Sequence, residues 1–290
     1  MALLELVLEL AVIVTAMLVT TALVVIGPRR LAVITEDFRW RLEVAALPVG
    51  VLVTVLFVRW ATGDFLPRLS ERVVGIRITG AIFHFEESIF GVNPVTAMQS
   101  VQHELLTEFF IFIYIYAYAF LLVFPVLAYF VLEEMDEFSS LIMAYTANYA
   151  IGIVLYVLFI AMGPRNYDPL LFEPILYETF PQSGYLTHSV NEATNVFPSL
   201  HTSIAMTVFI MALITRDRYP LWVPISGFLA ISVAASTMYL GIHWFSDVVA
   251  GTALAVVSVY LGVNYSIHGL VNTARLYVVG QLERRADFDR

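Results

Sequence analysis

Apolar residues fall in seven long blocks separated by polar breaks: Leu3 to Ile26, Leu47 to Trp60, Phe109 to Leu132, Leu141 to Met162, Pro198 to Ile214, Leu221 to Leu240 and Phe245 to Tyr265. Most approach the ~20 residues that carry an α-helix across roughly 30 Å of hydrocarbon. Backbone polar groups must be satisfied inside lipid, so each block predicts a helix. The pattern predicts an all-α, polytopic transmembrane helix bundle of about seven spans. The first block lacks a basic leading segment and runs on to Gly27-Pro28-Arg29-Arg30, which reads as a retained anchor and not a signal peptide. Between blocks, Ala61 to Glu108 interleaves Arg68, Arg72 and Arg77 with apolar and aromatic residues, the mark of helices lying in the membrane interface. Pro28 to Leu42 reads as a loop, and Gly163 to Phe197 as a long ordered loop.

Threading the chain through seven spans puts the N-terminus, Ala61 to Glu108, Gly163 to Phe197 and the Gly241 turn on one side. The Pro28 to Leu42 loop, the Glu133 to Ser140 loop, the Thr215 to Pro220 turn and the tail fall on the other. That second side carries Arg29, Arg30, Arg39, Arg41, Arg216, Arg218, Arg275, Arg284, Arg285 and Arg290. By the positive-inside rule it is cytoplasmic, so the first side is extracytoplasmic and the chain is a multi-pass protein of the cell membrane.

Composition agrees: 60% of residues are hydrophobic and 13% charged, with a mean hydropathy of +0.82, whereas a soluble domain is about a quarter charged. The net charge is −9 and all 15 basic residues are Arg, which argues against a nucleic-acid footprint. With no Cys, there is neither a disulfide nor a thiolate nucleophile. Chemistry falls to His, Asp, Glu, Ser, Tyr and Arg.

An ionisable residue at membrane depth is costly and marks a functional candidate. Two clusters qualify: Phe197-Pro198-Ser199-Leu200-His201, and Ser236 through Asp247 across the turn between the sixth and seventh spans. His243 and Asp247 are four apart, so on a helix the carboxylate can accept the imidazole N–H, fix its tautomer and stabilise its cation. Pro198 is a good first helical residue, so the free N–H groups of the following turn, with Ser199 beside them, form an anion site that His201 touches. A nucleophile, an acid and donors for equatorial oxygens are what phosphoryl transfer through a phosphohistidine needs.

Pro198-Ser199-x-His201 followed by Ser236-x6-His243-x3-Asp247 resembles the second and third signature motifs of the type 2 phosphatidic acid phosphatase (lipid phosphate phosphatase) superfamily. The resemblance implies His243 as nucleophile, Asp247 as its activating partner and His201 as the acid that protonates the leaving group. It covers roughly Leu141 to Tyr265, the last four spans. The phosphatase branch has Arg where this chain has Thr237, and a Lys and an Arg-Pro pair where it has Gly163-Pro164-Arg165-Asn166-Tyr167. Phe197 to Thr202 and Tyr239-Leu240-x-x-His243-Trp244-x-x-Asp247 look more like the branch containing fungal inositol phosphorylceramide synthase. Arg165, Ser199 and Ser236 are the phosphate-binding candidates. No metal or organic cofactor is implied; the expected partners are a membrane lipid substrate and, as acceptor, water or a lipid or polar alcohol.

Other readings bear on the same residues. His201, His243 and Asp247 could be a polar network locking helices or a facial set for iron or zinc, although no His-Glu-x-x-His pattern is present. A non-catalytic transporter or lipid-binding scaffold would use the cluster as a relay, but matching broken spans in two halves are lacking. Arg165 also suits a headgroup anchor. His84 with Glu86 and Glu87, and His103 with Glu104, read as a solvated interfacial face, while His188 and His268 read as solvated or incidental. Ile113 to Tyr118 reads as a packed or lipid-facing stripe. The expected organisation is 1–108 as N-terminal spans and interfacial segment, 109–265 as core with the motifs, and 266–290 as a cytoplasmic tail.

Overall fold

The computed structural model describes residues 2–63, 65–184, 196–267, 269–272 and 276–277. His188, His268, Arg275, Arg284, Arg285 and Arg290 lie outside them. Thirteen helices carry the described fold: α1 Ala2–Thr21, α2 Pro28–Ala61, α3 Phe65–Leu69, α4 Thr79–Phe90, α5 Pro94–Gln99, α6 Glu104–Phe112, α7 Tyr118–Phe130, α8 Asp136–Leu158, α9 Pro164–Tyr167, α10 Ile175–Thr179, α11 Leu200–Ile214, α12 Trp222–Tyr239 and α13 Phe245–Asn264. Six stretches are long and apolar enough to span: Leu3–Ile26, Asp37–Ala61, Glu104–Phe130, Asp136–Leu158, Trp222–Tyr239 and Phe245–Asn264. The expected fifth span is the shorter α11, about 22 Å long at 1.5 Å per residue.

Two boundaries differ from the sequence expectation. Pro28 to Leu42 is helix, not loop: α2 runs unbroken over 34 residues. The break is confined to Gly27, at φ 85°. Pro28 then starts the next helix at N1, where a missing N–H costs nothing. The fourth span ends at Leu158, because Phe159–Ile160 (β2) turns extended and pairs in parallel with Ile76–Arg77 (β1). That pairing ties the interfacial segment to the core. α4 and α5 lie in the Ala61 to Glu108 segment, the first ended by left-handed Gly91 and the second capped by Asn93, whose side chain accepts from Val95 N. α9 and α10 lie within the expected long loop.

α8, α11 and α13 pack on one another, with α12 against α11 and α2 against α8. Apolar burial gives helices little reason to associate in lipid, so small residues and buried polar contacts specify the packing. A Cβ on Gly251 of α13 would collide with the Ser199 carbonyl oxygen, and one on Gly262 with that of Ser140. Asn148 on α8 donates to the hydroxyls of Ser203 and Thr207 on α11. By contrast, the apolar windows of the first two spans are only 6% and 11% buried, so those helices line the bundle's outside.

Candidate active site

The turn between α12 and α13 presents His243. Its shape comes from one carbonyl, that of Thr237, which accepts from Ile242 N at 2.9 Å and His243 N at 3.0 Å. Gly241, at φ 71°, supplies the left-handed residue the reversal needs. Asp247 is the third residue of α13 and caps it: Oδ2 accepts from Trp244 N at 2.8 Å and lies 3.4 Å from His243 Nδ1. The cap therefore holds the carboxylate beside the imidazole. Asp247 is fully buried, and among the described residues its Oδ1 has no partner. His243 is buried as well. Burial, and then the charge of Arg165, push its pKa down to about 3, with the Val196 carbonyl pulling the other way. Burial thus favours the neutral imidazole.

α11 brings His201. Pro198 does not open this helix as the sequence suggested; Ser199 is the N-cap, its hydroxyl accepting from Thr202 N at 3.3 Å, and the helix begins at Leu200. The cap satisfies one of the first-turn donors expected to hold an anion. Ser199 N donates to the Asp247 carbonyl at 3.0 Å, which stitches the start of α11 to the first turn of α13. The His201 and His243 rings consequently face each other, centroids 6.0 Å apart.

Arg165 arrives on α9, its backbone N donating to the Gly241 carbonyl at 3.2 Å. A Cβ on Gly163 would collide with the Ile242 carbonyl, so glycine there lets the segment lie against the His243 turn. The guanidinium lies over the Tyr177 ring at 4.7 Å and donates Nη2 to its hydroxyl at 3.3 Å. Nη1 is buried with no partner among the described residues. Ser236 is buried in α12 with its hydroxyl donated to Val233 O at 2.7 Å, while its carbonyl accepts from Leu240 N. His201, His243, Asp247, Ser199 and Arg165 thus converge, and Ser236 supports the turn from behind. Among the described residues no three His, Asp or Glu cluster as a metal site.

One group at the site was misjudged from sequence and one contact was missed. Glu86 is buried, not on a solvated face: Oε1 accepts from Ser246 N at 2.7 Å and Oε2 from Asn93 Nδ2 at 3.2 Å. Burial lifts its carboxyl above the usual range, with the Ser246 N–H opposing and Asp247 adding to the rise. The signal was its spacing of four from Ile82, the other buried residue of α4. Ile113–Ala117 is buried, as the packed reading expects, but the sequence did not show that the Tyr114 and Tyr118 rings pack on His201, with centroids at 4.9 and 4.8 Å. Tyr114 belongs to a π-helical turn over Ile113–Ala117 and Tyr118 follows it directly; such turns recur at functional sites. His84, Glu87, His103 and Glu104 are exposed as expected.

The family model described as PAP2 superfamily matches residues 80–261, more than half the chain and all of the residues just described. The chain belongs to the PAP2 superfamily and is a phosphatase or phosphotransferase enzyme acting on lipid phosphates. Searches of curated proteins and of solved structures returned no match.

Proposed function

We propose that the enzyme transfers a phosphoryl or phosphodiester group from a membrane lipid through a phosphohistidine on His243, at the extracytoplasmic face, in the manner of inositol phosphorylceramide synthase. The observation that carries this reading is a buried His243 backed by Asp247 at 3.4 Å, with the His201 ring 6.0 Å from it. With Nδ1 turned to Asp247, Nε2 is the nitrogen directed away from that carboxylate. Nε2 attacks phosphorus, the bond to the leaving oxygen breaks, and His201 gives that oxygen its proton. In the return step the acceptor hydroxyl passes its proton to His201 and attacks phosphorus, and the N–P bond breaks. Asp247 stabilises the imidazolium, while Arg165 and the α11 N-terminus meet the equatorial oxygens.

An alcohol is the acceptor at least as readily as water. Thr237 stands where the phosphatase branch has Arg, and Arg165 is the cation beside His243, a supply better matched to a singly charged phosphodiester than to a dianionic monoester. A positioned hydroxyl can outcompete bulk water by several kcal/mol. The test incubates purified enzyme with headgroup-labelled phospholipids, with and without lipid alcohols. Label is expected in a new lipid; label only in free phosphate, whatever alcohol is supplied, would make the enzyme a plain lipid phosphate or polyprenyl diphosphate phosphatase, the alternative reading.

A further inference from the structure

The end of the bundle away from His243 holds a cavity of about 300 Å³ lined by Arg29, Arg30, Arg41, Arg218, Glu133 and Glu134 with Val131 and Leu132. It lies where α2 begins, α7 ends and the α11–α12 turn passes. His201 and Thr215 mark the two ends of α11, about 21 Å apart along the helix, so the cavity is no extension of the catalytic site.

Two of its four arginines, Arg30 and Arg41, are held by backbone carbonyls and not by acids. Arg41 is 2% exposed. Its Nη1 donates to the carbonyls of Phe130 and Leu132, capping the end of α7, and its Nε is buried without a partner among the described residues. Arg30 donates to the Arg218 carbonyl at 3.4 Å and lies over the Tyr219 ring at 5.5 Å. Arg218 answers the local carboxylates, Glu137 at 3.0 Å and Glu134 at 4.0 Å. Among the described residues, Arg29, Arg30 and Arg41 make no ion pair within 4.0 Å. Three guanidiniums without an ion pair among the described residues thus share a cavity with Glu133 and Glu134, the second of which meets Arg218.

We propose that this cavity binds the phosphate group of an anionic ligand, with Arg29 and Arg30 as its adjustable donors and Arg41 as its fixed wall. A phospholipid headgroup reaching in between α2 and α7 and a soluble phosphate present the same chemistry. The experiment separates the two sources: full-length enzyme in neutral detergent is titrated with short-chain phosphatidylglycerol, with phosphatidylcholine of the same chain length, and with inorganic phosphate, following the thermal shift. Saturable stabilisation by phosphatidylglycerol alone assigns a lipid headgroup; equal stabilisation by inorganic phosphate assigns a soluble anion. In either case Arg29→Gln with Arg30→Gln should weaken the effect roughly 25-fold, about fivefold for each arginine. Arg29→Gln alone should weaken it about fivefold, which keeps the test alive should the double variant fold poorly. Stabilisation by neither anion, or the same affinity in the variants as in the parent, would overturn the proposal.

Discussion

At the scale of single residues, the proposed mechanism gives His243 and His201 separable jobs. Replacing His243 by Ala should reduce turnover roughly 10⁴-fold or more, because the atom that bonds to phosphorus is gone. Asp247→Asn should cost less, since the carboxylate orients the ring and forms no bond itself. His201→Ala should slow an alkyl phosphate lipid by roughly 10² to 10⁴ and an aryl phosphate far less, the aryl oxide leaving without a proton. Equal losses on the two substrates would assign His201 to binding. Burial of His243 also sets a pH dependence of folding. Its pKa falls from 6.5 to about 3 in the folded chain, so below pH 6.5 the unfolded state binds a proton that the folded state refuses. Its contribution is full above pH 6.5 and declines as pH falls toward 3, by at most about 1.4 kcal/mol per unit. Thermal melting of the parent between pH 7 and 5 should fall more steeply than that of His243→Gln; parallel curves would contradict this.

At the scale of elements, the site depends on how interfacial and spanning helices meet. Glu86 reaches from α4 to the first turn of α13, the turn that also holds Asp247. Glu86→Ala strands the half-buried Ser246 N–H and should destabilise the enzyme by about 1–3 kcal/mol while lowering turnover; Glu86→Gln, which keeps an acceptor, should recover most of both. Gly251→Ala would push α13 off the Ser199 carbonyl and should separate Asp247 from α11, with a loss of activity larger than its loss of expression. The spans were legible in the sequence because hydropathy is a property of each segment alone; the His-Asp pair was legible from its short spacing, although His243 lies in the turn before α13 and Asp247 meets it by capping that helix. Glu86 was not, because its partner Ser246 lies 160 residues away. Nor was the role of Tyr114 and Tyr118, since lipid and an imidazole ring select the same aromatic residues. Pro28 was mistaken for a break because the residue that reads as a stop is equally a start.

At the scale of the whole molecule, the helix bundle separates two chemistries. His201, His243, Asp247 and Arg165 occupy one end, while Arg29, Arg30, Arg41 and Arg218 gather at the other. The positive-inside rule expects the Arg29, Arg30, Arg41 and Arg218 end in the cytoplasm; on that expectation a Cys placed at the exposed Gln182 should react with an impermeant thiol reagent from outside and one at Asp217 should not, and the chain has no native Cys to confuse the result. The reverse pattern would put the active site on the cytoplasmic face. The most direct measurement of all is a rapid quench in base, where phosphohistidine survives, of enzyme mixed with a lipid labelled at phosphorus, followed by peptide mass spectrometry. Label on His243 that appears and decays at the pace of turnover, and is absent from His243→Ala, is the expected result. Turnover with no label on the protein at any time, or label that persists in His243→Ala, would contradict a phosphohistidine at this residue.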